Sequence, residues 1–252
     1  MTGAVYGAAP RVLVIGGSGP IGLAISGAAA THSTPVISVS RSSRRRLDVA
    51  DPDSLRSVMR EVSPSAIIYL VRGDPSKAAA RSTEDLRHVV EIAALAGIER
   101  FVLASSAAVY GDRHSEPRRE SDPLEGTSEY AREKIRAEAV MTEVGEAHGM
   151  STASLRVFNV FGPGCRGSLI NALIDGPPPR LALTSRFVRD YVHVSDVARA
   201  FLRAVGDVTA TGPMNIGSGR GIANTDLAAV SPGAYLPGDD AVSSYSLADP
   251  TR

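Results

Sequence analysis

The sequence predicts an α/β fold, a doubly wound parallel sheet followed by a small C-terminal lobe. Two observations carry that expectation. Short β-branched apolar runs alternate with segments of helical apolar spacing up to about residue 160. This is the pattern of βαβ units, whose strands run parallel through right-handed crossovers. The chain is also long enough, at 252 residues, to bury such a sheet.

Taken in order, residues 11–15 (RVLVI) stop at a glycine cluster and read as a buried strand. Residues 21–30, rich in Ala and Ile, form the next helix, with Pro20 where a first turn tolerates it. A second strand is expected over 36–40, a capped helix over 53–62 and a third buried strand over 66–71. Ser82, Thr83, Glu84 and Asp85 open an amphipathic helix that buries Leu86, Val89, Val90, Ala93 and Ala94, and Gly97 stops it. Residues 101–104 make a strand, 129–144 a helix and 154–158 a strand. Past Gly162 the pattern loosens. Pro177, Pro178 and Pro179 and the Gly- and Ser-rich tail from Ser231 read as loop, with one clear helix over 195–205. The expected division is 1–160 for the sheet domain, completed by parts of 187–219, and 161–252 for a small lobe.

Twenty-seven acidic side chains balance 27 basic ones. That excludes a dedicated binder of nucleic acid or anionic membrane, since either needs a basic excess. The single Cys165 excludes a disulfide framework and a multi-Cys metal centre, and it fits a reducing cytoplasm. No apolar run approaches the ~20 residues that span a bilayer, and the first residues lack the features of a signal peptide. The expectation is a cytoplasmic protein without metal. All the basic residues except Lys77 and Lys134 are Arg, so the position of each lysine is informative. Lys77, in Asp-Pro-Ser-Lys, reads as solvated loop.

Gly16, Gly19 and Gly22 form G-x-x-G-x-x-G between the first strand and helix. That placement marks a Rossmann-type dinucleotide fold, with Pro20 and Ile21 opening the helix whose positive end receives a pyrophosphate. Folds that prefer NAD place an acidic residue at the end of the second strand for the ribose hydroxyls. Here Ser40 and Arg41 stand there, and a hydroxyl beside a guanidinium suits a 2′-phosphate. NADP(H) is therefore expected in preference to NAD(H), although the arginines through Arg46 also read as a solvated charge run. Asp48 and Val49 fall where the adenine is contacted. Leu70, Val71, Ala104, Ser105 and Phe158, at or beside later strand ends, complete the expected cofactor contacts.

Ser106 ends the strand that begins at Phe101, and Tyr130 and Lys134 form Y-x-x-x-K on the following helix, one turn apart on one face. A free tyrosine titrates near ~10, so it needs a cation beside it to work as acid or base near neutrality. Lys134 supplies one, while Ser106 would hold the substrate oxygen.

These motifs resemble, in order, the extended branch of the short-chain dehydrogenase/reductase superfamily. Within it they are similar to the NAD-dependent epimerase/dehydratase family of nucleotide-sugar enzymes. The stretches are GGSGPIG, LDVAD, ASSAAVYGD, YAREK, LRVFNVFGPG, VRDYVHVSDVA and MNIGSG, between Val12 and Gly219. The resemblance implies a catalytic triad of Ser106, Tyr130 and Lys134. It implies Asn159 and Arg189 as contacts to the diphosphate of a nucleotide sugar, and a homodimer paired through helices near 84–96 and 129–144. From the residues alone, Asn159 equally suits a turn cap and Arg189 a pair with Asp190 or Asp196. His193, between two valines, reads as structural. With little chain after Gly219, the substrate-binding lobe is expected to be short.

Dehydratases of this family carry an acidic pair after the strand-end hydroxyl. Ala107 and Ala108 stand there instead, which argues against dehydration. Ser40 and Arg41 favour an NADPH-dependent 4-ketoreductase of an NDP-4-keto-(deoxy)hexose. The VRDYVHVSDVA stretch, similar to that of UDP-galactose 4-epimerases, favours a 4-epimerase. The expectation leans narrowly to the ketoreductase, with the UDP-glucose/galactose-type epimerase as the alternative. A catalytically silent NADP-binding regulatory or scaffold protein is the third reading.

Overall fold

The computed structural model describes residues 11–31, 34–72, 79–175, 181–230, 235–237 and 244–249. Lys77, the prolines at 177–179 and most of the tail from Ser231 lie outside them. The first part of the chain forms β1 (Val12–Ile15), α1 (Pro20–Thr31), β2 (Val36–Val39), α2 (Pro52–Val62), β3 (Ala66–Tyr69), α3 (Ala79–Leu95) and β4 (Arg100–Ser106). A 3₁₀ turn (Ala107–Tyr110), α4 (Glu129–His148), β5 (Ser151–Val157), β6 (Asn159–Phe161), α5 (Leu169–Asp175), β7 (Leu181–Leu183) and β8 (Phe187–His193) follow. The last elements are α6 (Val194–Gly206), β9 (Gly212–Ile216), β10 (Gly221–Ala223), α7 (Asn224–Val230), β11 (Tyr235–Pro237) and β12 (Ser244–Ser246).

Six strands form one parallel sheet in the order β2-β1-β3-β4-β5-β9. A single bridge between Ser40 and Arg46 adds one pairing at the β2 edge. The chain leaves β1 for β2 on one side and returns to β3 on the other. The order therefore reverses between β1 and β3, where such sheets open a crevice at their carboxyl ends.

The pleat sends alternate strand residues to two cores. Leu13, Ile15, Ile67, Tyr69, Phe101 and Leu103 pack with α2, α3 and α4, against Leu55, Val89, Met141 and their neighbours. Val12, Val14, Ala66, Ile68, Val102 and Leu155 face Ile25 of α1 and Val197, Phe201 and Val205 of α6. Cover on both faces explains why these strands read as unbroken apolar runs rather than alternating ones.

Helix ends depart from the expected bounds for local reasons. The α2 cap is Asp51, whose carboxylate accepts from the backbone N–H of Asp53 and Ser54 at 3.0 and 3.3 Å, so the helix starts at Pro52. α3 begins at Ala79, ahead of the Ser82 signal, in a stretch of good helix formers. α4 continues past residue 144 to His148, where Gly149 in the left-handed region (φ 66°) ends it.

A second sheet centres on β8, antiparallel to β10 and parallel to β12 and β6. Because β6 follows β5 after Phe158 alone, this sheet rises from the carboxyl edge of the first. Asp190 locks it. Its carboxylate, with no exposure, accepts from the Ser218 N–H and hydroxyl (both 2.7 Å), the Gly219 N–H (2.9 Å) and the Ala248 N–H (3.3 Å). His193 is structural as read: its Nδ1 caps α6 by accepting from the Ser195 N–H at 3.3 Å, and its ring stands edge-on to Phe161.

Candidate active site

A cleft of about 320 Å³ opens beyond the carboxyl ends of β1 and β3, lined by Gly16, Gly19, Ser40, Arg41, Asp48, Val49, Leu70, Val71, Arg72, Glu133 and Lys134 among others. Gly16 stands at φ 88°, and a Cβ there would lie 3.0 Å from the Val71 nitrogen, so only glycine lets the loop turn against the end of β3. At Gly19 an added Cβ would meet only the Gly16 carbonyl, at 3.9 Å, so the missing side chain leaves room in the cleft wall. That open backbone at the start of α1 fits the pyrophosphate of a dinucleotide.

At the far end, Ser40 and Ser43 fold the loop onto itself. The Ser43 N–H donates to Ser40 Oγ at 2.9 Å and the Ser40 N–H to Ser43 Oγ at 2.8 Å. Ser40 is thereby buried, while Arg41 and Ser42 stay exposed on the cleft wall. Arg45 is drawn away to Glu61 at 2.6 Å.

At the β4 end, Ser106 is half-buried and caps the 3₁₀ turn, accepting from the Ala108 N–H at 3.2 Å. Ser128 caps α4 by accepting from the Ala131 N–H at 3.1 Å, which fixes where Tyr130 and Lys134 project. Lys134 is 5% exposed; its Nζ donates to the Ala104 carbonyl at 3.0 Å and lies 5.9 Å from the centroid of the Tyr130 ring. Arg72, after β3, holds its guanidinium 5.3 Å from the same centroid. The Tyr130 ring therefore has two cations within reach. Burial pushes the Lys134 amine below its ordinary pKa, with Glu133 pulling it up and Arg72 adding to the depression. Tyr69, also in the cleft wall, is fully buried, and burial together with Asp85 and Glu133 pushes its phenol well up, so it stays protonated. Half-exposed Tyr130 is the phenol suited to exchange a proton.

Lys134→Met is expected to keep or raise thermal stability, because it removes a desolvated cation with one carbonyl partner. The sign with pH is definite. The native pKa lies below the ordinary value of ~10.4, so between the two the unfolded chain holds the extra proton and wild-type stability rises with pH. The variant lacks that rise. Denaturant unfolding from about pH 7 to about pH 10 reads it, and identical pH profiles for the two proteins would refute it.

A second cleft, of about 540 Å³, is lined by Pro20, Ile21, Asn159, Cys165, Arg166, Phe187, Arg189 and Tyr191 among others. It adjoins the first across the Gly19–Pro20 step. The Asn159 amide donates to the Asp190 carbonyl at 3.0 Å, binding β6 to β8 rather than capping a turn. Arg189 pairs with neither Asp190, which is engaged by backbone N–H groups, nor Asp196, which pairs with Arg199.

Several residues expected at the cofactor have protein partners or line the adjoining cleft. The Ser105 hydroxyl turns to Glu138, Phe158 packs under the 3₁₀ turn with Val109, Tyr110 and Ala248, and Pro20 and Ile21 line the second cleft. Gly22 serves packing, since a Cβ there would fall 2.5 Å from Gly17. Ala104 contributes its carbonyl to Lys134. Arg72 went unread in the sequence; its only signal was position, directly after a strand end.

A parallel sheet with a glycine loop at its switch point and a Tyr–Lys pair at its carboxyl edge defines a dinucleotide-dependent enzyme of the Rossmann class. The chain belongs to the NAD-dependent epimerase/dehydratase family, whose model matches residues 12–217. The UDP-glucose 4-epimerase of Azospirillum brasilense is 28% identical over 85% of this chain and 74% of its own length. That of Lacticaseibacillus casei is 30% identical over 61% of this chain, and the match spans 54% of the relative. Among solved structures, the Thermus thermophilus UDP-glucose 4-epimerase in complex with NAD superposes with a TM-score of 0.81 at 25% identity, covering 95% of this chain and 90% of that one. These relatives overturn the expectation of a ketoreductase, since they are 4-epimerases. The error has a physical source. Ser40 and Arg41 line the far end of the cleft from the Tyr130–Lys134 pair, so their chemistry carries no information on the reaction. Among the described residues no group of three or more His, Cys, Asp or Glu could hold a metal ion, and no helix is long and apolar enough to cross a membrane.

Proposed function

We propose that this chain interconverts the C4 epimers of a nucleotide-activated hexose, of the UDP-glucose/galactose type. The observation that carries the reading is the Tyr130–Lys134 pair at the carboxyl edge of a dinucleotide cleft, its lysine buried against Ala104. When bound, the dinucleotide supplies the acceptor and donor of a hydride at the sugar carbon. Tyr130 takes the proton of the C4 hydroxyl and later returns it, so acid and base are one group. Lys134 holds the phenolate in register, and Ser106 donates to the sugar oxygen. Asn159 and Arg189 hold the diphosphate in the second cleft, where a planar guanidinium matches phosphate oxygens. Residues 161–252, apart from α6 and β9, which complete the sheet domain, act as the substrate lobe.

We further propose that the cofactor end favours the 2′-phosphorylated dinucleotide. Exposed Arg41 beside a loop of three serines, with no carboxylate at the end of β2, supports this. A homodimer packed through the outer faces of α3 and α4 is also proposed, with Leu95, 79% exposed, at the end of that surface.

The deciding experiment incubates the purified protein with UDP-galactose or UDP-glucose and each dinucleotide. Epimer exchange without net cofactor consumption is expected, as is tighter binding of NADPH than NADH. Arg41→Ala should weaken NADPH by about tenfold and leave NADH unchanged, the loss of one charge-assisted contact. Absence of exchange across a panel of nucleotide hexoses would refute the epimerase reading, and equal affinities would refute the cofactor preference.

A further inference from the structure

Arg189 does not reach its place in the second cleft unaided. Its Nη1 donates to the Val188 carbonyl at 2.9 Å, its guanidinium lies 4.0 Å from the centroid of the Phe187 ring, and its Nη2 donates to Ser244 Oγ at 2.6 Å. Ser244 belongs to β12, which lies parallel to β8 with Ser244 opposite Phe187 and Ser246 opposite Arg189. The same hydroxyl donates onward to Asp112 Oδ2 at 2.6 Å. A hydroxyl has one proton to give, so the direction is fixed: guanidinium to serine, serine to carboxylate.

Asp112 follows the 3₁₀ turn that Ser106 caps, and its carbonyl accepts from the Tyr245 N–H at 2.8 Å. The backbone around Arg118 then continues the seam: its N–H donates to the Leu247 carbonyl at 2.8 Å, and its carbonyl accepts from the Asp249 N–H at 3.0 Å. The C-terminal strand thus stands between the loop after Ser106 and the strand that carries Arg189, and Ser244, 7% exposed, is the point where all three meet.

We propose that Ser244 is a positioning residue that sets the affinity for the diphosphate of the substrate by holding Arg189 in the cleft. The inference rests on the reading of Arg189 as a diphosphate contact. The serine separates the guanidinium from Asp112. Without the hydroxyl, the arginine is drawn to the carboxylate itself, and the resulting ion pair competes with phosphate oxygens for the same donors. Two of the five guanidinium N–H groups are committed among the described residues, so those remaining serve the anion once the orientation is fixed.

The test measures calorimetric binding of UDP to the dinucleotide-saturated protein, and KM and kcat with UDP-galactose, for Arg189→Ala, Ser244→Ala and the isosteric pair Ser244→Thr and Ser244→Val. Ser244→Ala is expected to weaken UDP and raise KM about tenfold, the size of a lost hydrogen bond to a charged group, with kcat at saturation changed less than about twofold. Ser244→Thr, which keeps the hydroxyl, should bind UDP at least about fivefold tighter than Ser244→Val. That comparison stands even if the alanine variant fails to fold. Wild-type UDP affinity in Ser244→Ala together with a weakened Arg189→Ala would overturn the role of Ser244 and leave the diphosphate reading intact. Equal affinities of the threonine and valine variants would overturn it as well. Unchanged UDP affinity in Arg189→Ala would remove the diphosphate reading, and this proposal with it.

Discussion

Tyr130→Phe is expected to lower the rate of C4 epimer exchange by about 10²–10⁴-fold, the span that general acid–base groups contribute. The substitution removes one oxygen and leaves the ring where Arg72 and Lys134 flank it, 5.3 and 5.9 Å from its centroid. Lys134 keeps its bond to the Ala104 carbonyl, so the cleft retains its shape and charge. Dinucleotide affinity should accordingly stay within about twofold of wild type, and kcat and kcat/KM should fall together, the signature of an interaction used in the transition state. Neither Tyr69 nor Tyr110, the described tyrosines beside this edge of the sheet, is poised to substitute. Tyr69 is kept protonated by burial, and the Tyr110 hydroxyl is committed to Asn215 at 2.8 Å while accepting from Arg156 at 2.9 Å. Stopped-flow single turnover with a bound dinucleotide reads the chemical step directly. Turnover retained by the phenylalanine variant would mean that the proton travels by another group.

What was legible in the sequence was local. The glycine loop, the strand ends and the Tyr130–Lys134 spacing are contained within single elements or one turn between them, and the scarcity of lysine pointed to Lys134. The contacts that complete the site join distant segments. Arg72 reaches Tyr130 only because β3 pairs with β4 and α4 packs on β4. Ser244 is one of three serines within 243–246, and only the register of β12 on β8 selects it as the partner of Arg189. Ser105 and Ser106 are adjacent hydroxyls at one strand end. The pleat sends adjacent side chains to opposite faces, so one goes to Glu138 and the other to the 3₁₀ turn. Phe158, between β5 and β6, packs in the small core under that turn, a contact that joins distant segments.

Glu138→Ala is expected to cost about 3–5 kcal/mol of stability, because it strips the partner from a buried charge. Arg156 of β5 donates to the Glu138 carboxylate through Nη2 at 2.7 Å and through Nε at 3.1 and 3.2 Å, with side-chain exposures of 5% and 10%. The remaining Arg156 donor, Nη1, goes to the Tyr110 hydroxyl and to the Glu120 carbonyl at 3.0 Å, so the guanidinium is fastened in place and cannot swing to water when the carboxylate is gone. For a chain of this size the loss corresponds to a fall in Tm of about 10 °C. The cost comes from the orphaned cation rather than from the worth of the pair. Replacing both residues together, Glu138→Met with Arg156→Met, should therefore recover most of it. Glu138→Gln, which keeps the acceptor and drops the charge, should fall between. Denaturant midpoints at constant m-value give the three numbers. Activity adds a second reading. Glu138 stands one helical turn after Lys134, and it ties that part of α4 to β5 through Arg156 and to β4 through Ser105. In the alanine variant Lys134 loses that buttress, so kcat should drop at temperatures where the variant is still folded, and the methionine pair should restore stability further than it restores rate. If single and double variants were equally destabilised, the pair would be contributing attraction of its own, and the account of Arg156 as a fastened, dependent charge would be wrong.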